Sequence, residues 1–268
     1  KSRIGEERFR REHECEFLIF DETLISSLVL ADMEGVAPVE TTGQVRWFKR
    51  PTPGNTYLTS LDPSMGTGGD YAAIQVFELP TFEQVAEWHH NQTPMNQQVR
   101  ILQGINKHIH DTIMEKDSSA TPQIFYSMEN NSIGEAALMR VMDIGEENIQ
   151  GMFLSEPIRK GHRRKFRRGF NTTAKHKIDA CTKFKELIEN DKMKINSQLL
   201  ISELKDFVAS GMSYNAKPGQ HDDLVSACLL MTRMMKVLAD FDPKIFEKWT
   251  NRSSEMTTPM PIFANLYG

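Results

Sequence analysis

Acidic residues stand at the ends of three predicted elements in this chain. Asp62 ends the apolar run "TYLTSLD", and Glu129 falls at the end of the run "QIFYSMEN". The pair Asp222 and Asp223 occupies the first turn of the last predicted helix, after Gly219. If the two strands are neighbours and the helix packs over them, these carboxylates converge at one edge of a sheet. Either one of them is then protonated, as in carboxylate dyads, or a divalent cation offsets their repulsion, for which oxygen ligands suit Mg²⁺ or Mn²⁺.

The chemistry that such a cluster supports is phosphodiester hydrolysis. Two divalent cations about 3.5–4 Å apart can activate a water and stabilise the leaving oxygen. Each acid also has a purely structural interpretation: Asp62 could cap the glycine-rich turn that follows it, Glu129 could be a surface residue, and Asp222 could be a helix N-cap. The occurrence of all three at element ends, in the order strand, strand, helix, favours a metal site.

Positive charge is concentrated in one window of an otherwise acidic chain. The net charge is −4, yet Lys160–Lys177 contains eight Lys or Arg and no Asp or Glu, so the rest of the chain carries −12. The window also contains Gly161, Gly169, Phe166 and Phe170, which indicates a loop that follows a phosphate backbone rather than only a solvated surface loop. The predicted DNA contacts are Arg163, Arg164, Lys165, Arg167, Arg168 and Lys175.

The sequence pattern predicts alternating strands and helices, and these elements would position the acidic residues and the basic window. The runs "TYLTSLD", "YAAIQVFEL" and "EQVAEWHHN" predict a meander of three strands, followed by an amphipathic helix in "MNQQVRILQGINKHIHDTI". After the strand "QIFYSMEN", Ser132 is predicted to cap a helix, and "IQGMFLSEP" is predicted to form another strand. Thr172 or Thr173 caps the next helix, "SQLLISELKDFVAS" predicts one more, and a mostly apolar helix begins near "GQHDDL" and should lie against the sheet.

The composition of the 268 residues predicts a globular chain with room for one large core and a peripheral subdomain. Hydrophobic residues make up 39% and charged residues 25%, and the chain contains no apolar run long enough to cross a membrane. Cysteines Cys15, Cys181 and Cys228 are odd in number and widely spaced, which argues against a disulfide framework or a four-ligand zinc site. The predicted organisation is a lead-in segment over 1–55, an α/β domain over 56–246 and a tail over 247–268.

Five segments together resemble the nuclease domain of the large terminase subunit of T-even-like tailed bacteriophages. They extend from Ile4 to Met235 and are "IGEERFRREHECEF", "SLDPSMGTGGDYAAIQV", "FYSMENNSIGEA", "RRGFNTTAKHKIDACTKFKELIENDKMKI" and "GQHDDLVSACLL". The resemblance implies a ribonuclease H-like fold with a mixed central sheet flanked by helices. It also implies a Mg²⁺- or Mn²⁺-dependent endonuclease that cuts concatemeric viral DNA in the cytoplasm of the infected bacterium. The implied partners are double-stranded DNA, an ATPase domain of the same polypeptide, the portal and the small terminase subunit, but no membrane.

By this resemblance, Asp62, Glu129 and an Asp of "HDD" carry two metal ions, with Asp222 preferred and Asp223 retained as the alternative. Asp70 matches a further acidic position of the motif and could contact a metal ligand or cap the turn. His221 could orient a water or phosphate, or simply make a hydrogen bond at the helix start. Where relatives have an acidic residue in the turn, this chain has Met65, which puts a ligand role for that position in doubt.

ATP hydrolysis is not predicted for this chain. It contains no G-x-x-x-x-G-K-[ST] motif, and "GTGGDY" lacks the lysine of a phosphate-binding loop. Together with the start at Lys1, this predicts a nuclease part separated from its motor. Two alternatives stay open: a junction resolvase or RNA-strand nuclease of the same fold, and a non-catalytic module that grips DNA or docks to the packaging motor.

Overall fold

The computed structural model of the protein describes residues 22–156 and 168–241. Within these ranges the main sheet has seven strands, in the spatial order β1-β2-β5-β4-β3-β6-β7. Their bounds are β1 Glu40–Thr42, β2 Val45–Trp47, β3 Thr56–Asp62, β4 Ala72–Leu79, β5 Glu83–His90, β6 Gln123–Met128 and β7 Met152–Phe153. A separate hairpin is formed by β8 Phe207–Ser210 and β9 Ser213–Ala216.

The centre of the sheet is β3, which pairs antiparallel with β4 and parallel with β6. Both β3 and β4 are buried along almost their whole length, which explains why their sequences do not alternate cleanly between apolar and polar residues. The parallel register sets Leu61 opposite Met128. The next residues, Asp62 and Glu129, therefore leave the sheet side by side, and the Glu129 N–H donates to the Leu61 carbonyl at 3.1 Å.

Helices cover both faces of the sheet and create two hydrophobic cores. The helix bounds are α1 Ser27–Asp32, α2 Met95–Lys116, α3 Ser132–Ile144, α4 Ala174–Glu189, α5 Gln198–Asp206 and α6 Asp223–Phe241, with a 3₁₀ turn at Glu146–Asn148. One core packs α2 and α3 against the sheet, and the other packs α4, α5 and α6 against the opposite face. This arrangement confirms the predicted mixed central sheet flanked by helices.

The last helix, α6, lies across β3 and β4, as its mostly apolar surface predicts. The Ser60 hydroxyl of β3 donates to the Ala227 carbonyl of α6 at 2.8 Å, which fixes the helix on the strand. The first turn of α6 is thereby brought to the end of the sheet where Asp62 lies. None of the helices in the described ranges is both long enough and apolar enough to cross a bilayer.

Two local predictions are wrong in detail. The cap of α3 is Asn131 rather than Ser132, because the Asn131 side chain accepts a hydrogen bond from the Gly134 N–H at 2.7 Å. The run "SQLLISELKDFVAS" is not helical throughout, since α5 ends at Asp206 and the remaining residues form β8. The prediction of a cap at Thr172 or Thr173 is resolved in favour of Thr173, which accepts from the His176 N–H.

The predicted domain boundary at residue 55 does not coincide with an edge of the sheet. Strands β1 and β2 precede residue 55, and β2 pairs with β5. The described part of the lead-in segment is therefore structurally part of the α/β domain. The predicted tail over 247–268 and the first 21 residues lie outside the described ranges.

Candidate active site

Two carboxyl groups lie beside each other at the end of the parallel strand pair. Asp62 is the last residue of β3, and Glu129 directly follows β6. Glu129 is oriented from two sides, because its backbone bridges to Phe170 and its Oε2 accepts from the Asn131 side-chain amide at 3.1 Å. The carboxyl groups of Asp62 and Glu129 are within hydrogen-bonding reach of each other. The sequence prediction that strand ends bring these two acids together is consistent with this geometry.

The electrostatics of Asp62 are those of a crowded carboxyl. Burial raises its pKa well above the ordinary value, and the charge of Glu129 and a hydrogen bond to it raise the pKa further, with Asp223 and Asp222 adding to the effect. A proton between the two side chains relieves this repulsion when no cation is near. A divalent cation relieves it equally well, because carboxylate oxygens are the ligands that hard cations prefer. The donor set at this edge thus fits such a cation.

The two aspartates at the start of α6 point to different partners. Asp222, just before the helix, lies 3.7 Å from the Lys177 ammonium. Asp223 lies 3.7 Å from His221 Nδ1. Burial raises the pKa of Asp223 to about 6, and the charge of Asp222 adds to the rise. Both aspartates act on Asp62, and Asp223 does so more strongly.

The two remaining residues that the sequence predicts near the site, Asp70 and His221, also lie close to Asp223. Asp70 is exposed at the end of the glycine-rich turn, and its charge contributes to the raised pKa of Asp223. The nearby backbone N–H of Tyr71 lowers that pKa. The ring of His221 meets the ring of Tyr71 edge-on, with 4.8 Å between centroids. Asp70 and His221 are therefore neighbours of a candidate ligand rather than of the Asp62–Glu129 pair.

The glycine-rich turn after Asp62 is held rigidly against the start of α2. The buried side chain of Gln98 donates to the carbonyls of Ser64 at 2.9 Å and Thr93 at 2.8 Å. Gly66 has φ +69°, and a Cβ there would lie 2.2 Å from the Thr93 carbonyl oxygen. Only glycine fits this approach of two backbones. The turn therefore fixes the direction in which the chain leaves Asp62.

A cavity of about 220 Å³ opens between α4 and α6 with the acid pair at one end. Sequence reasoning missed its two cationic side chains as site residues, Lys177 and Arg233. Both belong to helices whose rotation about the axis the sequence alone does not determine, although Lys177 does fall within the basic window. The lining residues are Asp62, Glu129, Thr172, His176, Lys177, Ala180, Ser226, Leu229, Leu230 and Arg233.

Arg233 is fully engaged by its neighbours. Its guanidinium donates to Glu156 Oε1 at 2.9 Å and to the Asn171 carbonyl at 3.0 Å, and it lies over the ring of Phe170 with 5.2 Å to the centroid. Because Phe170 also bridges to Glu129, this arginine braces the backbone behind the acid pair. We assign it a structural role in the site.

The acids approach one another without forming a closed ligand set. In the ranges 22–156 and 168–241, no three His, Cys, Asp or Glu side chains are grouped closely enough to hold a metal ion as they stand. Asp62 and Glu129 share one end of the cavity, whereas Asp222 is turned to Lys177 and Asp223 to His221. The arrangement supplies two adjacent oxygen donors and two further carboxylates within electrostatic range.

The predicted DNA contacts are only partly described by the structure. Arg168 is exposed and forms an ion pair with Glu146, and Lys175 is exposed in the first turn of α4. The described contacts thus leave Lys175 on the surface near the cavity wall formed by α4. The remaining predicted contacts, Arg163, Arg164, Lys165 and Arg167, lie outside the described residues.

Comparison with solved structures identifies the class of fold. The large terminase nuclease from thermophilic phage G20c with bound magnesium superposes with a TM-score of 0.58 at 16% identity, over 79% of this chain and 97% of that one. The large terminase nuclease domain of Thermus phage P74-26 gives 0.52 at 17% identity, over 75% and 92%. The human cytomegalovirus terminase nuclease domain, soaked with manganese and bound to an inhibitor, gives 0.52 at 12% identity, over 84% and 98%. These likenesses show that the chain shares the fold of these terminase nuclease domains.

The family is shown by sequence. The family model described as "Terminase RNaseH-like domain" matches residues 59–234, which include the end of β3 with Asp62, the whole of β6 and the start of α6. The chain therefore belongs to the terminase RNase H-like domain family.

Proposed function

We propose that this chain is a metal-dependent DNA endonuclease of a viral DNA-packaging terminase, which hydrolyses phosphodiester bonds of concatemeric double-stranded DNA with little sequence specificity. The observation that carries the proposal is the placement of Asp62 and Glu129 side by side at the ends of the parallel strands β3 and β6, where both line one cavity. Two more aspartates are close enough to raise the pKa of Asp62. Membership of the terminase family supports the choice of DNA over other phosphodiesters.

The residues of the chain divide into binding and positioning roles. Asp62 and Glu129 would hold the cation, and Asp222 or Asp223 would complete the set after a change of partner. Two bound Mg²⁺ or Mn²⁺ ions would supply the Lewis acidity that activates water and offsets charge on the phosphate. The turn that follows Asp62 keeps its carboxylate in place by locking the backbone. The basic window Lys160–Lys177 supports backbone contacts to DNA, which carry little sequence information.

The decisive experiment replaces Asp62 by asparagine, which keeps the shape of the side chain and removes one of the repelling charges. We expect the variant to melt at the same or a higher temperature than the parent chain, and to lose plasmid cleavage in Mg²⁺ or Mn²⁺. Asp143→Asn is the matched control, because that side chain is 64% exposed on α3, and it should cut normally. Normal cutting by Asp62→Asn would remove Asp62 from the mechanism.

The alternative roles are separated by substrate and by chelator. A module that only grips DNA would bind it equally well in the presence of EDTA and would never nick it. A junction resolvase would prefer a four-way junction to linear duplex, and an RNA-strand nuclease would prefer an RNA–DNA hybrid. The assignment to the T-even-like branch and the partnerships with an ATPase domain, the portal and the small terminase subunit stay predictions from the sequence.

A further inference from the structure

The side chain of Lys177 joins three elements at the rim of the candidate site. It projects from α4, and its ammonium lies 3.7 Å from Asp222 Oδ2, just before α6. It donates to Asn215 Oδ1 of strand β9 at 2.8 Å. It also lies over the ring of Phe207 in β8, with 5.5 Å to the centroid. The hairpin β8–β9 thus positions a cation beside one of the candidate metal ligands.

The two cationic side chains of the cavity differ in how well they are satisfied. Arg233 makes close charged and backbone contacts, as described above. The Lys177 ammonium has three donors, but its contact with Asp222 is longer than a hydrogen bond and its other hydrogen bond goes to a neutral amide. Its side chain is 21% exposed. An ammonium in this state neutralises Asp222 without being locked to it.

We propose that Lys177 is the resident counter-cation of Asp222, which balances that carboxylate until a divalent cation takes its place. The inference rests on the proposed function, since it assigns Asp222 to the cation site. Asp62 and Glu129 lie together at this end of the sheet, and the two aspartates at the start of α6 act on Asp62 through their charges. The ammonium reduces this repulsion in the cation-free protein. A divalent cation arriving at Asp222 has to displace the ammonium, because the cation and the ammonium repel each other at that distance.

The proposal predicts that Lys177 weakens cation binding. Replacement by methionine keeps an apolar stem against Phe207 and removes the charge. We expect Lys177→Met to bind Mn²⁺ about tenfold more tightly than the parent chain, as removal of one nearby positive charge at an effective dielectric constant near that of water implies. A residue with a merely structural role would, on replacement, loosen the site and weaken Mn²⁺ binding.

The test is isothermal titration of MnCl₂ into the full 268-residue chain without DNA. Lys177→Arg should retain the parent affinity because it retains the charge. Lys183→Met, a replacement on the same helix of a lysine that is 47% exposed, should also bind as the parent does. Melting in EDTA provides a second readout, in which Lys177→Met should unfold at a lower temperature than the parent and gain more from added Mn²⁺.

The outcomes separate this inference from the proposed function. Equal or weaker Mn²⁺ binding by folded Lys177→Met, in a parent chain that binds Mn²⁺ and cuts DNA, overturns the counter-cation role and leaves the nuclease intact. A parent chain that binds Mn²⁺ but never cuts DNA overturns the proposed function while the affinity comparison still decides the role of Lys177. Absence of Mn²⁺ binding by every variant and the parent refutes both.

Discussion

Replacement of Glu203 by glutamine should make the cation-free protein more stable at alkaline pH. Glu203 lies on α5 with its side chain 10% exposed, and its Oε2 accepts from the Val225 N–H of α6 at 3.1 Å. Its other oxygen lies 3.7 Å from His89 Nε2, which is buried and has no hydrogen-bond partner among the residues that the structure describes. A glutamine oxygen can accept the same N–H without ever ionising, so the substitution isolates the effect of the charge.

The magnitude follows from the pKa of Glu203. Burial raises it from 4.5 to about 9, the hydrogen bond from Val225 opposes the rise, and the charges of Asp223 and Asp222 add to it. The folded protein therefore holds a proton that the unfolded chain has released, so stability is lost as pH rises from the ordinary value toward about 9. The loss amounts to about 1.4 kcal/mol per pH unit, or about 3 kcal/mol between about pH 6.5 and about pH 8.5. Burial lowers the pKa of His89 to about 4 from 6.5, so its own linkage falls below this window.

The assay is urea unfolding of both chains in EDTA across this pH range. The free energy of unfolding of the parent should fall relative to that of Glu203→Gln by the amount given above. Glu186→Gln controls for the loss of one negative charge, because Glu186 is 49% exposed on α4 and should shift the curve without changing its slope. Parallel curves for the parent and Glu203→Gln would refute the assignment of a buried, protonated carboxyl.

Two further predictions concern the support of the acid pair. Gly134→Ala should lower both stability, by about 2 kcal/mol, and plasmid cleavage, because its Cβ would lie 1.9 Å from the Glu129 carbonyl oxygen. Gly104→Ala, in the open middle of α2, should instead stabilise the protein by up to about 1 kcal/mol. Arg233→Met should cost about 2–3 kcal/mol in urea unfolding, because it strips the ion pair from Glu156 and removes the donors to the Asn171 carbonyl and the Thr172 hydroxyl; an unchanged midpoint would show that the brace is unimportant.

The sequence predicts the central strands well because they are buried on both faces. Strands β3, β4 and β6 are therefore rich in aliphatic, aromatic and β-branched residues and end at a charge or a turn, and these are strong local signals. The sequence does not predict the hairpin β8–β9, because its strand conformation depends on residues far away along the chain. The segment Phe207–Ser210 continues the helical spacing of α5, but backbone hydrogen bonds from Leu24 to the Phe207 carbonyl and from Ala209 to the Glu22 carbonyl hold it extended. Because this pairing joins residues that are far apart along the chain, no local sequence pattern predicts it.

The candidate site likewise contains residues that the sequence predicts and residues whose orientation depends on tertiary packing. Asp62 and Glu129 were proposed from their place at strand ends, and the parallel register then makes them neighbours. Which of Asp222 and Asp223 faces the acid pair depends on how the first turn of α6 is rotated, and Lys177 depends on the rotation of α4. These rotations are set by packing against the sheet and the hairpin rather than by residue spacing, so the sequence leaves them open.

The same contacts explain why such a site is tolerated in a folded protein. Carboxyl groups brought together at the end of a buried strand pair oppose folding, as the raised pKa of Asp62 indicates. Their crowding is offset by backbone support that does not depend on charge, namely the locked turn at Gly66 and the close approach of α3 to Glu129 at Gly134. A ligand that binds only the folded state adds stability in proportion to its affinity. The repulsion between these carboxyl groups favours the binding of a divalent cation. For the same reason, the bound cation should stabilise the folded protein.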